Sequence, residues 1–163
     1  MTFRHRVCMS LETIFPKETI VARLESTEKD ELFEELAEVM HAAVPELDRK
    51  EVVASLAARE DKMTTGIMHG VAVPHALLPG MGRTIGAIGI SRRGIDYDSL
   101  DKAPVHVVFM LIGAQGETER HIKALKRIAD VLQIPGFVDR MMRCTSASEV
   151  HNFLCNSEQS LSE

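Results

Sequence analysis

The chain has 163 residues, 45% of them hydrophobic, enough for one domain with a core of ordinary size. Its formal net charge of −5, with no stretch of interleaved basic and aromatic residues, excludes a broad nucleic-acid-binding surface. No uninterrupted apolar run reaches the ~18 residues of a membrane span, so direct membrane insertion is not expected.

The cysteines, Cys8, Cys144 and Cys155, are odd in number and show no C-x-x-C spacing, and they read as reduced thiols. Glu12 and Lys17 interrupt the N-terminal run before an export signal can form, and a cytoplasmic location is expected. Without tryptophan and with one tyrosine, the core must come from Leu, Ile, Val, Ala and Met, plus six Phe.

Along the chain, "SLETIFPKETIVARLE" (10–25) is mixed, and "TIVARL" within it reads as a short strand. Thr27 and Asp30 resemble a capping box, and Leu32, Phe33, Leu36, Val39 and Met40 recur at helical spacing, giving a helix over 28–43. Pro45 ends it. Asp48 and Glu51 start a second helix, whose stripe of Val52, Val53, Leu56 and Ala57 runs toward Arg59 and Glu60, so that the two form an antiparallel hairpin. "DKMTTGIMHG" (61–70) is a loop. Three β-type runs follow, "GVAVP" (70–74), "TIGAIGIS" (84–91) and "PVHVVFMLIG" (104–113), the last nearly all apolar and therefore a central strand buried on both faces. A helix from an N-cap at Thr118 to Gln133 places Ile122, Leu125, Ile128, Ala129 and Leu132 on one side, and Pro135-Gly136 stops it. Helical segments at 137–143 and 147–155 precede a polar tail expected to fray. The fold class is α/β, a mixed β-sheet flanked by helices, in a single domain over 10–155 with flexible ends at 1–9 and 156–163.

Four residues stand out for chemistry. His75 follows a strand run, and Pro74 fixes the backbone before it, so the imidazole projects from a sheet edge at a defined angle. His121 lies in the first turn of the strongest helix, on its inward stripe, where free N–H groups and the positive dipole end suit an anion; the alternative is a packed histidine bonded to backbone. Arg59 offers a planar fork for phosphate oxygens or complements a helix dipole. Thr65, with Thr64, donates to the same oxygens or stabilises the turn at Gly66. Zinc held by His69, His75 and His121 lacks a carboxylate or cysteine at ligand spacing, and neither a metal nor another cofactor is expected.

The run "RE-x3-TTGI-x-x-GVAVPHA" from Arg59 to Ala76 resembles the signature of enzyme IIA domains of the fructose/mannitol type in the bacterial phosphoenolpyruvate-dependent sugar phosphotransferase system, including their nitrogen-regulatory branch. The likeness extends from "SLETIFPKETI" to "ETERHIKALKRIADVL". It implies a sandwich of the enzyme IIA type in which His75 accepts a phosphoryl group from a histidine-containing phosphocarrier protein. His121 binds that group or orients His75, and Arg59 and Thr65 bind phosphate. A sugar-specific IIB component, a kinase or a transporter would be the further partner. The alternative is a regulatory binding module whose docking does not depend on phosphoryl transfer. The chain departs from the family pattern at Met68-His69-Gly70, where Gly-Asn-Gly is frequent, and at Ala76 and Leu77 after the histidine. Leu77, Leu78, Pro79 and Met81 would then give an apolar docking rim around His75.

Overall fold

The computed structural model describes residues 9–67 and 69–163. Its order is α1 (Leu11–Ile14), a 3-10 turn (Lys17–Thr19), β1 (Ile20–Val21), α2 (Lys29–Ala43), α3 (Arg49–Glu60), β2 (Val71–Ala72), β3 (His75–Leu78), β4 (Ile85–Ile95), β5 (Val105–Ala114), α4 (Thr118–Leu132), α5 (Phe137–Arg143) and α6 (Ala147–Ser160). A mixed α/β architecture with a flanked sheet is what the chain adopts.

The sheet is built around β5. It pairs antiparallel with β4, and β4 pairs parallel with the short β1. Along its other edge β5 pairs parallel with β2 and then with β3. The register is unchanged between them: Val71 lies opposite Val107 and His75 opposite Leu111, so β2 and β3 are one strand interrupted at Val73-Pro74. Proline has no N–H for a ladder and is tolerated at such an edge.

The period of two divides the sheet into two cores. Val108, Met110 and Ile112 of β5, with Ile85 and Ala87 of β4 and Ala76 and Leu78 of β3, face α2 and α3. Val107, Phe109 and Leu111, with Ile88 and Ile90, face α1, α4, α5 and α6. The hairpin of α2 and α3 is antiparallel, since Lys29 at the start of α2 pairs with Glu60 at the end of α3, while Glu38 pairs with Arg49.

Several local expectations shift. Glu28 rather than Thr27 stands at the N-cap of α2, and Glu31 takes the Thr27 N–H at 3.1 Å, one residue on from the expected partner Asp30. Asp48 caps α3 as expected, accepting from the Glu51 N–H. Helix α4 starts at Thr118, with Glu117 as its N-cap and no side-chain cap. Its buried stripe is His121, Ala124, Ile128 and Val131, while Ile122, expected inside, is 58% exposed. The "TIVARL" strand shrinks to two residues. The tail expected to fray from residue 156 is helical through Ser160, because Glu158 accepts the Leu11 N–H at 2.9 Å and pairs with Arg127 at 3.0 Å. Cys144 is buried and Cys155 half-buried, both free; Cys8 and nearly all of the expected flexible N-terminus lie outside the described residues.

A strand glycine lets the end of α1 close on the sheet. At Gly86, an added Cβ would lie 2.2 Å from the Phe15 ring and 2.8 Å from the Met110 carbonyl oxygen. Phe15 in turn meets Phe109 edge to face at 5.6 Å between centroids. Gly86→Ala is therefore expected to cost about 1–3 kcal/mol by overpacking. A lowered urea midpoint with an unchanged m-value is the measurement that checks it.

Candidate functional site

His75 opens β3. Alternation sends Ala76 and Leu78 into the α2/α3 core, so His75 and Leu77, both half-buried, stand on the face that α4 covers. Backbone groups on this edge strand alternate between β5 and the outer side, so Val73 faces the preceding loop: its N–H donates to the Thr65 carbonyl at 3.0 Å. Pro74 resumes the sheet by accepting the Leu111 N–H at 2.9 Å. The Val73 carbonyl meets the Nδ1 of His75 at 2.8 Å. A carbonyl only accepts, so Nδ1 carries the hydrogen, and in the neutral ring Nε2 holds the lone pair.

His121 sits in the first turns of α4 and is 5% exposed. Its ring centroid lies 5.5 Å from that of His75, with the planes tilted by 49°. Neither ring nitrogen has a hydrogen-bond partner among the described residues, so the backbone-bonded alternative does not describe it. Leaving buried polar groups unpaired costs about 1–3 kcal/mol each, and such an orphan calls for an explanation. Room for the ring comes from Gly113 on β5, where an added Cβ would stand 2.6 Å from His121 Nδ1.

Both imidazoles resist protonation. Burial lowers the pKa of His121 to about 4, with the neighbouring His75 adding to the effect. His75 is also lowered, by burial first; the Val73 carbonyl opposes this, Arg59 adds to it and Glu60 opposes it. Near pH 7 the site holds two neutral rings.

Arg59 lies in the last turn of α3, half-exposed, and donates to the Met63 carbonyl at 3.0 Å. Its charge reaches His75. Thr65 is 5% exposed, and its hydroxyl faces the Glu60 carboxylate and the Tyr97 hydroxyl, the latter at 2.7 Å. The expected phosphate donor is thus bonded elsewhere in this structure. His69 is exposed at φ 65°, the left-handed region that asparagine enters readily, and its N–H reaches Asp101 at 3.2 Å. That backbone demand accounts for asparagine in the family pattern at this position. Among the described residues no three His, Cys, Asp or Glu side chains come together as metal ligands.

The expected apolar rim breaks up. Leu78 is 2% exposed and belongs to the core, and Met81 packs against it. Leu77 is half-buried, and Pro79 alone is exposed. The strand continues past His75, and its alternation buries every second side chain. Large apolar groups that do reach solvent include Met63, Ile67, Leu100 and Ile122.

Sequence reasoning assigned no role to Glu60, Tyr97 or Gly113. The buried Tyr97 is the chain's single tyrosine, and its hydroxyl is raised well above its ordinary range, by burial first and then by Glu60. A lone buried tyrosine needs a partner for its hydroxyl, which is the signal that could have found it.

A histidine aimed from a broken edge strand toward a second, buried histidine, within this sandwich, places the chain in the enzyme IIA class. Residues 13–157 match the family described as "Phosphoenolpyruvate-dependent sugar phosphotransferase system, EIIA 2", and the chain belongs to that family. It is 35% identical over 124 residues to a "PTS system fructose-specific EIIABC component" of Bacillus subtilis, a match covering 76% of this chain and 20% of that protein, so the chain spans about a fifth of that relative. It is 29% identical to a "Nitrogen regulatory protein" of Pseudomonas aeruginosa, over 88% of this chain and 94% of the relative. The crystal structure of nitrogen regulatory protein IIA-Ntr from Neisseria meningitidis superposes with a TM-score of 0.81 at 30% identity, covering 88% of this chain and 97% of that one. No helix among the described residues is long and apolar enough to cross a membrane.

The depressed pKa of His121 makes stability depend on pH with a definite sign. The unfolded imidazole takes its proton near its ordinary value of 6.5 and the folded one only at about 4, so the unfolded state binds more protons between these values. The contribution is complete above about pH 6.5 and is lost as pH falls toward 4. The urea midpoint should fall across that window in the wild type, and His121→Gln should flatten the fall.

Proposed function

We propose that the protein is a phosphoryl carrier that accepts a phosphoryl group from a histidine-containing phosphocarrier protein on Nε2 of His75. The observation that carries this reading is the pairing of a tautomer-fixed His75 with a buried, unpartnered His121 imidazole 5.5 Å away. The lone pair of Nε2 forms the new P–N bond as the bond from phosphorus to the donor's imidazole breaks. The donor ring leaves with that electron pair, and the hydrogen of His75 stays on Nδ1, donated to the Val73 carbonyl.

Little covalent work is left to the protein, so positioning and charge stabilisation dominate. Neutral His121 presents one N–H donor with no competing partner among the described residues, fit to bond a phosphoryl oxygen. Free backbone N–H groups at the start of α4, uncapped by any side chain, add positive potential. Arg59 supplies a full positive charge. Thr65 joins the phosphate set in this reading if its hydroxyl gives up Glu60.

Residues 10–155 form the transferring unit, and the cytoplasm is the proposed location. The exposed Met63, four residues after Arg59, and Ile122, next to His121, fit docking of a protein donor. The near full-length likeness to nitrogen regulatory proteins supports signalling through the phosphorylated state. The fructose-component likeness supports the second reading, onward transfer to a sugar-specific IIB component.

The test is incubation with radiolabelled phosphoenolpyruvate, enzyme I and the phosphocarrier. Acid-labile label is expected on the wild type and none on His75→Ala. His121→Ala should lower the initial labelling rate about a hundredfold, the usual scale for losing one preorganised donor. Unlabelled wild type, or a fully labelled His75→Ala, would defeat the assignment.

A further inference from the structure

Glu60 ends α3 with its side chain only 6% exposed, and four donor groups converge on it. Lys29 Nζ reaches one carboxylate oxygen at 3.0 Å. The other oxygen takes the Thr65 N–H at 3.0 Å, the Tyr97 hydroxyl at 2.8 Å and the Thr65 hydroxyl. Pairing Lys29 alone would need a single oxygen. A buried ion pair is in any case weak grounds for stability, because desolvation offsets the attraction. The second oxygen, with three donors from the loop and from the segment after β4, points to a different task.

That task is legible in the bonds that follow. The Thr65 carbonyl accepts the Val73 N–H at 3.0 Å, and the Val73 carbonyl holds Nδ1 of His75 at 2.8 Å. Ile67 N–H to Val71 O at 2.9 Å, with a bridge between Gly66 and Ala72, completes a two-stranded clasp. Gly66 allows the clasp to lie against Tyr97 and Ser99, each 2.7 Å from where a Cβ would stand. Val73 sits at the break in the edge strand, between Ala72 and Pro74, which are both tied to β5. Its own N–H is tied to Thr65 instead.

We propose that Glu60 is a positioning residue for His75: by anchoring Thr65 it fixes Val73, whose carbonyl selects the Nδ1–H tautomer and leaves Nε2 free. Tyr97 and Lys29 hold the carboxylate in place, with Lys29 also lying 4.5 Å from the centre of the Tyr97 ring. The inference rests on the reading of His75 as the phosphoryl acceptor for its consequence, though not for its geometry. Which nitrogen of a histidine is protonated is set by the bond the other one makes, so loosening Val73 redistributes the proton between the two.

The experiment compares wild type, Glu60→Gln, Lys29→Met/Glu60→Gln and Tyr97→Phe. Long-range proton–nitrogen correlation spectra read the His75 tautomer, and phosphoryl acceptance from the phosphocarrier gives the rate. Wild type should show Nδ1–H alone. Glu60→Gln should show both tautomers and a rate about tenfold or more lower, the scale of misplacing a reacting group. The double variant, which removes the unpaired lysine charge, should restore thermal stability but neither tautomer nor rate; Tyr97→Phe should move both in the same direction by less. A single Nδ1–H tautomer in Glu60→Gln, or in Tyr97→Phe should Glu60→Gln fail to fold, overturns the proposal. If the wild type takes no label while the tautomer still shifts in the variants, the acceptor reading fails and the positioning stands.

Discussion

The rest of the site hangs on one edge strand and on the proline within it. Backbone groups of such a strand point alternately toward its one neighbour and away from it, so the Pro74 carbonyl takes the Leu111 N–H while the Val71 carbonyl and the Val73 N–H turn to the 65–67 segment. Pro74 cannot donate to a ladder, yet the sheet register survives across it. The outward-facing Val73 carbonyl is what meets the imidazole of His75. A turn in place of this break would have lost the register that puts His75 on the α4 face.

Opposite that fixed ring, the fold tolerates a histidine that pays for its burial with no hydrogen bond of its own. A phenylalanine would fill the place above Gly113 without leaving two orphaned nitrogens, and would be the better choice for packing alone. The desolvated ring stays neutral down to low pH, and so adds no charge beside His75 that would need a counter-ion. In the proposed function, the arriving phosphoryl oxygen is the missing partner, and the deficit in the resting state becomes a gain on transfer.

The architecture was open to a reader of the sequence wherever one physical signal decided it. The nearly all-apolar run at 104–113 read as a strand buried on both faces, and Asp48 three residues before Glu51 read as a helix cap. Signals that compete were misread. Ile122 looked like core by hydrophobicity, but the inward stripe of α4 is set by His121, Ala124 and Ile128, so a polar residue took the buried position and an apolar one the solvent. Leu78 was expected in an apolar rim around His75, whereas β3 persists through it and its alternation buries the side chain. His75 and His121 were singled out from local features, whereas their approach was expected from the resemblance alone: it depends on a register with β5 that no spacing along the chain encodes. Glu60 and Tyr97 are separated by the 61–70 loop and by β2, β3 and β4, and their contact arises from how Gly66 lets those segments close.

Arg59 and Glu60 are neighbours in sequence with opposite charges and opposite effects on His75, the first resisting its protonation and the second favouring it. Their exposures differ, however: Glu60 is sealed among its donors, while Arg59 ends at solvent and donates to the Met63 carbonyl. A sealed charge with fixed partners changes little when a ligand arrives, and it serves to hold geometry. A half-exposed guanidinium with spare N–H groups can reorient toward new oxygens at small cost in desolvation. The end of α3 thus separates two tasks that one residue could not combine, since a group locked well enough to fix Val73 has no freedom left to follow a moving phosphoryl group.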